Sequence, residues 1–537
     1  MVAWLTPLNR YDVIIIGGGF AGVTAAVDLA ARRRVLLLEA SSQLGGRCRS
    51  ARVDYCKSRV DLGAHYFGVG HTRVSDLVRR LGLWDQVIDY IPSFGPDPIA
   101  VCDFSARRVV TRVSETYFNV QGIDARAPWA EQARFLTGLL IVTMLCNAVD
   151  GRHPHASLFA RKLDAVTYGE FVDRLQLPSW FADLMRAGVE GVWSQSSERM
   201  SLLYFLWYLK NNGGFDQIFN DQTGGPQQFA LRCGLQGLIE ALAATFPGDT
   251  LLDKPVRAIR VVEDGVEVET RDGSIYRAAD VIVAVTPRAA AQIRYEPELP
   301  TARQLLHAQR AGYAIKAVLF YEQPWWHASA ETGGQMYAYL SRPGSDGIDW
   351  ILASSPGDGD YYALTVFVMP DLVDRHEGEG EEAVRRAIAD AVVELVRDPR
   401  ARDFWKMELC DWRKEPFVQG GPNTTFGPDV LTRTESVFNL PDFGRLYFAS
   451  SEYATSFTGY VEGAVAAGKH AARQILQGAD TEPEGEGIAW PALLAQLAVL
   501  PACLAAVQAL RVVDRMRGWG RAAPGAMGGT ASPSVQT

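Results

Sequence analysis

The chain has 537 residues, 48% of them hydrophobic and 21% charged, with a net charge of −9. That length is too great for one compact core and predicts two or three domains of ordinary globular composition. The acidic balance argues against nucleic acid as a partner, because phosphate binding needs concentrated lysine and arginine.

The seven cysteines are scattered, without C-x-x-C pairs or nearby histidine clusters. Neither a disulfide framework nor a metal site is expected. The start of the chain has no charged stretch followed by an apolar core of export length, so a cytoplasmic location is the expectation.

Tyr11 to Ile16 is an apolar run suited to a buried parallel strand, and glycines break it. Gly17, Gly19 and Gly22 then fit G-x-G-x-x-G: the first allows a tight turn, the second close approach to a pyrophosphate, the third close helix packing. A helix from Phe20 and Ala21 to Ala31 would point its free N–H groups at that pyrophosphate. The next strand, Val35 to Leu38, ends at Glu39 and Ala40, where a carboxylate is needed to accept ribose hydroxyls. This unit serves NAD, NADP and FAD alike. Leu44-Gly45-Gly46-Arg47 separates them, because it resembles the second dinucleotide signature of FAD-dependent amine oxidases, in which the arginine stands beside the same pyrophosphate.

Val60 to Gly68, reading VDLGAHYFG, could be a plain turn. The resemblance implies more: the backbone of Leu62, Gly63 and Ala64 beside the flavin ring, and Tyr66 toward substrate. His65 stands where relatives commonly carry a small or neutral polar residue; a lone histidine is more often a hydrogen-bonded neighbour than a base, and it is the candidate for a substrate contact peculiar to this chain. From Leu77 to Asn211 the pattern is largely helical, and the charge-free block Phe135 to Val149, too short to span a bilayer, reads as a buried helix. Phe205-Leu206-Trp207-Tyr208-Leu209-Lys210 resembles a segment of the flavin-containing monoamine oxidases. Its aromatics, at helical spacing, read as core.

The chain then returns to the nucleotide unit. Cys233 to Ile239 opens a helix, Val256 begins alternating strands with a hairpin signal at Asp272-Gly273, and Ala279 to Val285 is a second buried strand. In relatives the residue matching Val256 packs near the adenine. Within the strand-like run Tyr313 to Tyr321, Lys316 carries the single charge. On the residues alone it either reaches water from a strand end or is buried with a partner. The resemblance implies a lysine joined through water to flavin N5. Arg445 to Leu476 gives a strand to Glu452, a loop, and a helix starting near Tyr460 whose N-terminus at Val461 can aim backbone N–H at the flavin.

The resemblance to flavin-containing monoamine oxidases covers Tyr11 to Leu476. It implies an α/β fold of two domains, a Rossmann-like FAD-binding domain interleaved with a mixed α+β substrate domain. The FAD-binding parts are expected at 1–88, 225–290 and 412–478, the substrate parts at 89–224 and 291–411, and a linker and tail at 479–537. Lys316 and Tyr460 are the implied catalytic residues, His65, Tyr66 and Tyr460 the substrate contacts, and Trp412 and Glu452 complete the cofactor set.

The chain departs from the family at two positions. Members with covalent flavin attach it through a cysteine, where this chain has Gly421, so FAD is expected to be held noncovalently. Pro422 replaces the tyrosine that forms one wall of the family's aromatic cage; Tyr460 keeps the other.

The expected reaction is oxidation of an amine to an imine by hydride transfer to flavin N5, with oxygen reoxidising the flavin to give hydrogen peroxide. The alternatives are an FAD-dependent desaturase or oxidase of a non-amine biosynthetic intermediate, and a flavin-binding partner protein without turnover. Ile488 to Leu510 is uncharged, alanine-rich, broken by Pro501 and followed by arginines. It reads as a helix lying against the protein body, a partner subunit or a membrane surface.

Overall fold

The computed structural model describes residues 10–90, 99–103, 108–112, 129–214, 218, 224–328, 336–340, 347–433 and 442–477. The apolar C-terminal stretch lies outside them. Among the described residues no helix is long and apolar enough to cross a membrane.

The run Arg10–Ile16 forms a strand with Val35–Leu38 on one side and Ile275–Val283 on the other, both parallel to it. Strand alternation divides its apolar residues between two cores. Val13 and Ile15 face the helices Phe20–Ala30 and Val461–Gln477, whereas Ile14 and Ile16 face Val281, Val283 and Leu446. The sheet continues through Asp249–Leu251 beyond Val35–Leu38, and through the hairpin of Gly265–Thr270 and Val256–Val262 to Arg294–Glu296. Leu446–Phe448 pairs with the far half of Ile275–Val283. This sheet therefore takes strands from three separated parts of the chain, and its middle part runs past residue 290 to Glu296.

A second, mostly antiparallel sheet has the order Lys406–Asp411, Ile315–Tyr321, Tyr362–Val368, Ile348–Ala353, Met336–Leu340, Ile99–Asp103 and Arg108–Arg112. One face of its strand Ile315–Tyr321 carries Ile315, Ala317 and Leu319 into a large core with the helices Ser179–Trp193 and Leu202–Asn211. The other face carries Val318 and Phe320 against Val60, Leu62 and Trp412. The segment after Arg47 is thereby clamped between the two sheets.

Two expectations need correction. Ile99–Asp103 and Arg108–Arg112 are strands inside the stretch whose pattern reads as helical; the first pairs with Met336–Leu340, a partner that local periodicity cannot show. The block read as a buried helix lies on the helix Trp129–Ala148, but only its Phe135, Val142 and Cys146 side is buried, and Leu136 is 41% exposed.

Candidate active site

The first part of the site is made of backbone. The helix Phe20–Ala30 begins after Gly19 with no side-chain cap, and Phe20 and Ala21 are buried. Its first amides point where no helix carbonyl can meet them. Gly45 N donates to the Gly18 carbonyl at 3.0 Å, which ties the Gly-Gly-Arg segment to this loop. A Cβ placed on Gly46 would stand 3.4 Å from the Gly19 α-carbon, so two bare backbones face each other here.

Glu39 is buried at the end of its strand. Its carboxylate accepts from Gly18 N at 2.6 Å and from Ser41 N and Oγ, each at 2.8 Å. Lys254 N donates to the Glu39 carbonyl at 2.8 Å, bringing the start of Val256–Val262 alongside, with Val256 buried and Ala40 half-buried. An uncapped helix start, opposed glycines and a carboxylate at the next strand's end fit the pyrophosphate and ribose of a dinucleotide.

Arg47 joins this loop to the rest of the site. Its guanidinium makes a two-pronged ion pair with Glu452, at 2.7 and 2.9 Å, and also donates to Ser451 Oγ at 2.8 Å and to the Pro422 carbonyl at 2.6 Å. Burial alone would raise the Glu452 carboxyl, but the Arg47 charge and the hydroxyls of Ser450 and Ser451 outweigh it and hold the group below its usual range. The guanidinium is thus held by protein groups of the 422–452 region. Its own carbonyl accepts from Ala64 N at 3.1 Å.

Lys316 projects from the strand Ile315–Tyr321 toward the segment 61–66 and is buried, so it does not reach water. Its Nζ donates to the Asp61 carbonyl at 2.6 Å and to the Gly63 carbonyl at 3.4 Å. Between them, the Leu62 carbonyl accepts from Trp412 Nε1 at 2.9 Å. Three successive carbonyls are therefore fixed by side chains from the second sheet and its edge. The Asp61 carboxylate accepts from Ser50 Oγ at 2.5 Å and from Leu235 N at 3.2 Å. Burial lowers the Lys316 ammonium and raises the Asp61 carboxyl, and the attraction between the two opposes both shifts.

Next to them, His65 is buried, its ring stacked on Tyr66 with centroids 4.0 Å apart and edge-on to Tyr90 at 5.6 Å. Its Nδ1 has no hydrogen-bond partner. Burial first, and then the Lys316 charge, keep the imidazole well below its ordinary pKa and so neutral.

Tyr460 stands immediately before the helix Val461–Gln477, half-buried, with the rings of His71 at 5.3 Å and Phe457 at 6.3 Å. Gly421 N donates to the Gly312 carbonyl at 2.9 Å, and no sulfur occupies this place. The loop that carries Gly421 and Pro422 and the loop that carries Tyr460 meet at Asn423.

The structure thus brings Lys316, Leu62, Gly63, Ala64, His65, Tyr66 and Trp412 to one junction. Arg47 bridges from there to Glu452 and the loop before Tyr460, while Glu39 and Val256 lie together at the glycine end. Three further groups lie against these residues without having been singled out from the sequence: the Asp61 carboxylate, the Tyr208 hydroxyl and the Asn423 amide. Asn423 directly follows the position read as a missing cage wall, which was the available signal; the burial partners of the other two are remote in sequence.

The family model described as flavin containing amine oxidoreductase matches residues 20–476. Among curated relatives, amine oxidase [flavin-containing] A of Canis lupus familiaris is 29% identical over 499 residues, covering 87% of this chain and 85% of the relative. Amine oxidase [flavin-containing] B of Homo sapiens is 27% identical over 483 residues, covering 89% and 88%. Among solved structures, cyclohexylamine oxidase from Brevibacterium oxydans IH-35A superposes with a TM-score of 0.74 at 26% identity, covering 87% of this chain and 98% of that one. Putrescine oxidase bound to putrescine shares the fold, with a TM-score of 0.75 at 22% identity over 88% of this chain and 100% of that one. Matched along most of its length by that family model, the chain belongs to the flavin-containing amine oxidoreductases, FAD-dependent enzymes that oxidise amines.

Proposed function

We propose that the junction at Lys316 is the reacting end of the site and the glycine loop its cofactor end. FAD is the cofactor, held noncovalently, and the substrate is an amine. When bound, FAD supplies the acceptor for a hydride from the carbon beside the amine nitrogen, giving an imine, with oxygen as terminal acceptor and hydrogen peroxide as product.

The chain's own residues hold and orient. Gly17, Gly19, Phe20, Ala21, Gly22, Gly45 and Gly46 offer backbone to the pyrophosphate, Glu39 and Ala40 flank the ribose, and Val256 packs by the adenine. Arg47, locked to Glu452, keeps these loops in register with Leu62, Gly63 and Ala64, which lie along the ring. Val461 opens the helix whose positive end favours charge gathered on the reduced ring. Lys316 fixes the carbonyls beside the ring and brings a cation next to the reacting atoms. His65 and Tyr66 form one stacked wall toward the substrate and Tyr460 another. Burial and the Lys316 charge keep the His65 imidazole neutral, so it meets the substrate as an uncharged polar group. The interleaved domain division follows the same plan, with its middle FAD-binding part reaching Glu296.

The observation that carries this reading is the buried Lys316 ammonium on the Asp61 and Gly63 carbonyls. A lysine so costly to bury is retained where its charge acts. The test is anaerobic bleaching of the bound flavin by benzylamine, cyclohexylamine and putrescine, in the native enzyme and in Lys316→Met. At least one amine should bleach the native flavin, and the variant should keep its FAD while being reduced or reoxidised about tenfold or more slowly. An unchanged rate in both half-reactions removes Lys316 from the mechanism.

A further inference from the structure

Two residues after Arg47 a second arginine reaches across to the other sheet, and its side chain meets one short stretch of chain three times. The Arg49 guanidinium makes a two-pronged ion pair with Glu415, at 2.5 and 2.6 Å. Its Nη1 also donates to Cys410 Sγ at 3.7 Å, and its Cζ lies over the Trp412 ring, 5.4 Å from the centroid. A planar guanidinium can bind a carboxylate along its edge while it lies over an indole, which the ammonium of a lysine cannot do. The paired side chains are only 32% and 25% exposed, so the two-pronged geometry is held more firmly than in an ordinary surface pair.

The indole under Arg49 is placed with little freedom. A Cβ on Gly63 would stand 2.7 Å from Trp412 Cζ2, so the ring lies directly against the Gly63 backbone. Its Nε1 donates to the Leu62 carbonyl at 2.9 Å, and Leu62 N donates to the Arg49 carbonyl at 2.8 Å. Arg49 therefore holds Leu62 twice: its main chain takes the N–H, and its side chain packs on the indole that takes the carbonyl. Cys410 is the cross-strand neighbour of Lys316, whose ammonium binds the carbonyls on either side, those of Asp61 and Gly63. The same anchoring reaches the loop of Gly421, since Gly420 N donates to the Trp412 carbonyl at 2.8 Å.

We propose that Arg49 is a positioning residue for flavin reduction: locked by Glu415 over the Trp412 ring, it keeps the indole N–H on the Leu62 carbonyl and so fixes the backbone of Leu62 to Ala64 and the Lys316 ammonium at the reacting end. Arg49 acts through Trp412. The inference rests on the reading of Trp412 and of Leu62 to Ala64 as neighbours of the flavin, and the experiment separates the two.

The experiment compares Arg49→Met, Glu415→Gln, Trp412→Phe and the double variant Arg49→Met with Trp412→Phe, each as the holoenzyme. The amine of the panel that reduces the native flavin fastest is the probe, and the limiting reduction rate and the amine's dissociation constant are measured separately. Arg49→Met should lower the limiting rate about five- to tenfold with the dissociation constant within about twofold, because orientation is lost and the binding surface is not. Its flavin absorbance envelope without amine should shift from the native one, a readout independent of turnover. Glu415→Gln should move both quantities in the same direction by a smaller factor, and it carries the test alone if Arg49→Met does not fold. Arg49→Lys, which keeps the charge without the planar fork, should recover part of the rate. The double variant should be within about twofold of Trp412→Phe, because the indole N–H is lost only once. Native rate and flavin envelope in both Arg49→Met and Glu415→Gln, or losses that multiply in the double variant, would overturn the proposal. Native behaviour of Trp412→Phe in rate and envelope would instead remove Trp412 from the flavin's surroundings, and with it the basis of the inference.

Discussion

The cofactor end and the reacting end of this site are built on different principles. Around Gly17 to Arg47 the recognition surface is main chain, delivered in sequence order by consecutive glycines, one uncapped helix start and one carboxylate. Around Lys316 it is side chains recruited across the fold: Lys316 reaches Asp61 over 255 positions, Trp412 reaches Leu62 over 350, and Asn423 reaches Tyr208 over 215. A main-chain surface cannot give way to an added atom, whereas a side-chain network degrades by steps. The first region should therefore fail completely when perturbed, and the second by degrees.

The most severe break is expected from Gly22→Ala. Its new methyl would collide with the Gly17 carbonyl oxygen, a backbone atom that cannot swing aside, and would also crowd the Ala284 β-carbon. The purified variant should carry essentially no flavin, read from the ratio of flavin to protein absorbance. Full flavin content would show that the loop can open, and the contrast between the two regions would fall.

The same contrast explains what the sequence makes legible. Gly17, Gly19, Gly22 and Glu39 announce themselves because the conformations they allow and the carboxylate they precede are local properties of the chain. The strand Ile315–Tyr321 is likewise visible in its alternation. Lys316 is ambiguous by inspection, since the carbonyls that receive its ammonium come from another sheet's connection. Tyr208 reads correctly as core, but burial says nothing of where its hydroxyl points. The strands Ile99–Asp103 and Arg108–Arg112 are missed because their existence depends on Met336–Leu340, far along the chain.

Glu452→Gln probes the bridge between the regions and should have an intermediate effect. It leaves the Arg47 guanidinium, whose side chain is 21% exposed, without its carboxylate partner. Breaking such a pair costs about 3 kcal/mol when both members are deeply buried, and partial exposure of Arg47 should reduce this to about 2 kcal/mol. Chemical denaturation should show that loss together with weaker FAD retention. Lost stability with unaltered FAD affinity would assign the pair to folding alone.

The smallest effect on the cofactor is expected at Asp349, in the second sheet away from the glycine loops, where Tyr313 Oη donates to its carboxyl group at 3.2 Å. Burial, and then the charge of Glu190, push its carboxyl up to about 8, against a slight lowering by the Tyr313 bond. A carboxyl raised above its unfolded value keeps its proton in the folded state while the unfolded chain releases it. Folding stability therefore falls as pH rises from about 4 to about 8, by at most about 1.4 kcal/mol per pH unit, and levels off above that. Asp349→Asn keeps an acceptor for Tyr313 but cannot ionise, so its melting temperature should exceed that of the native enzyme by more at pH 9 than at pH 5. The increment from pH 5 to pH 9 should correspond to at most about 4 kcal/mol, about three pH units at about 1.4 kcal/mol each, with FAD content unchanged. A difference independent of pH would mean that Asp349 is already ionised in the fold, with its charge met by a neighbour in the sheet. In that case the side-chain network extends further from Lys316 than its hydrogen bonds indicate.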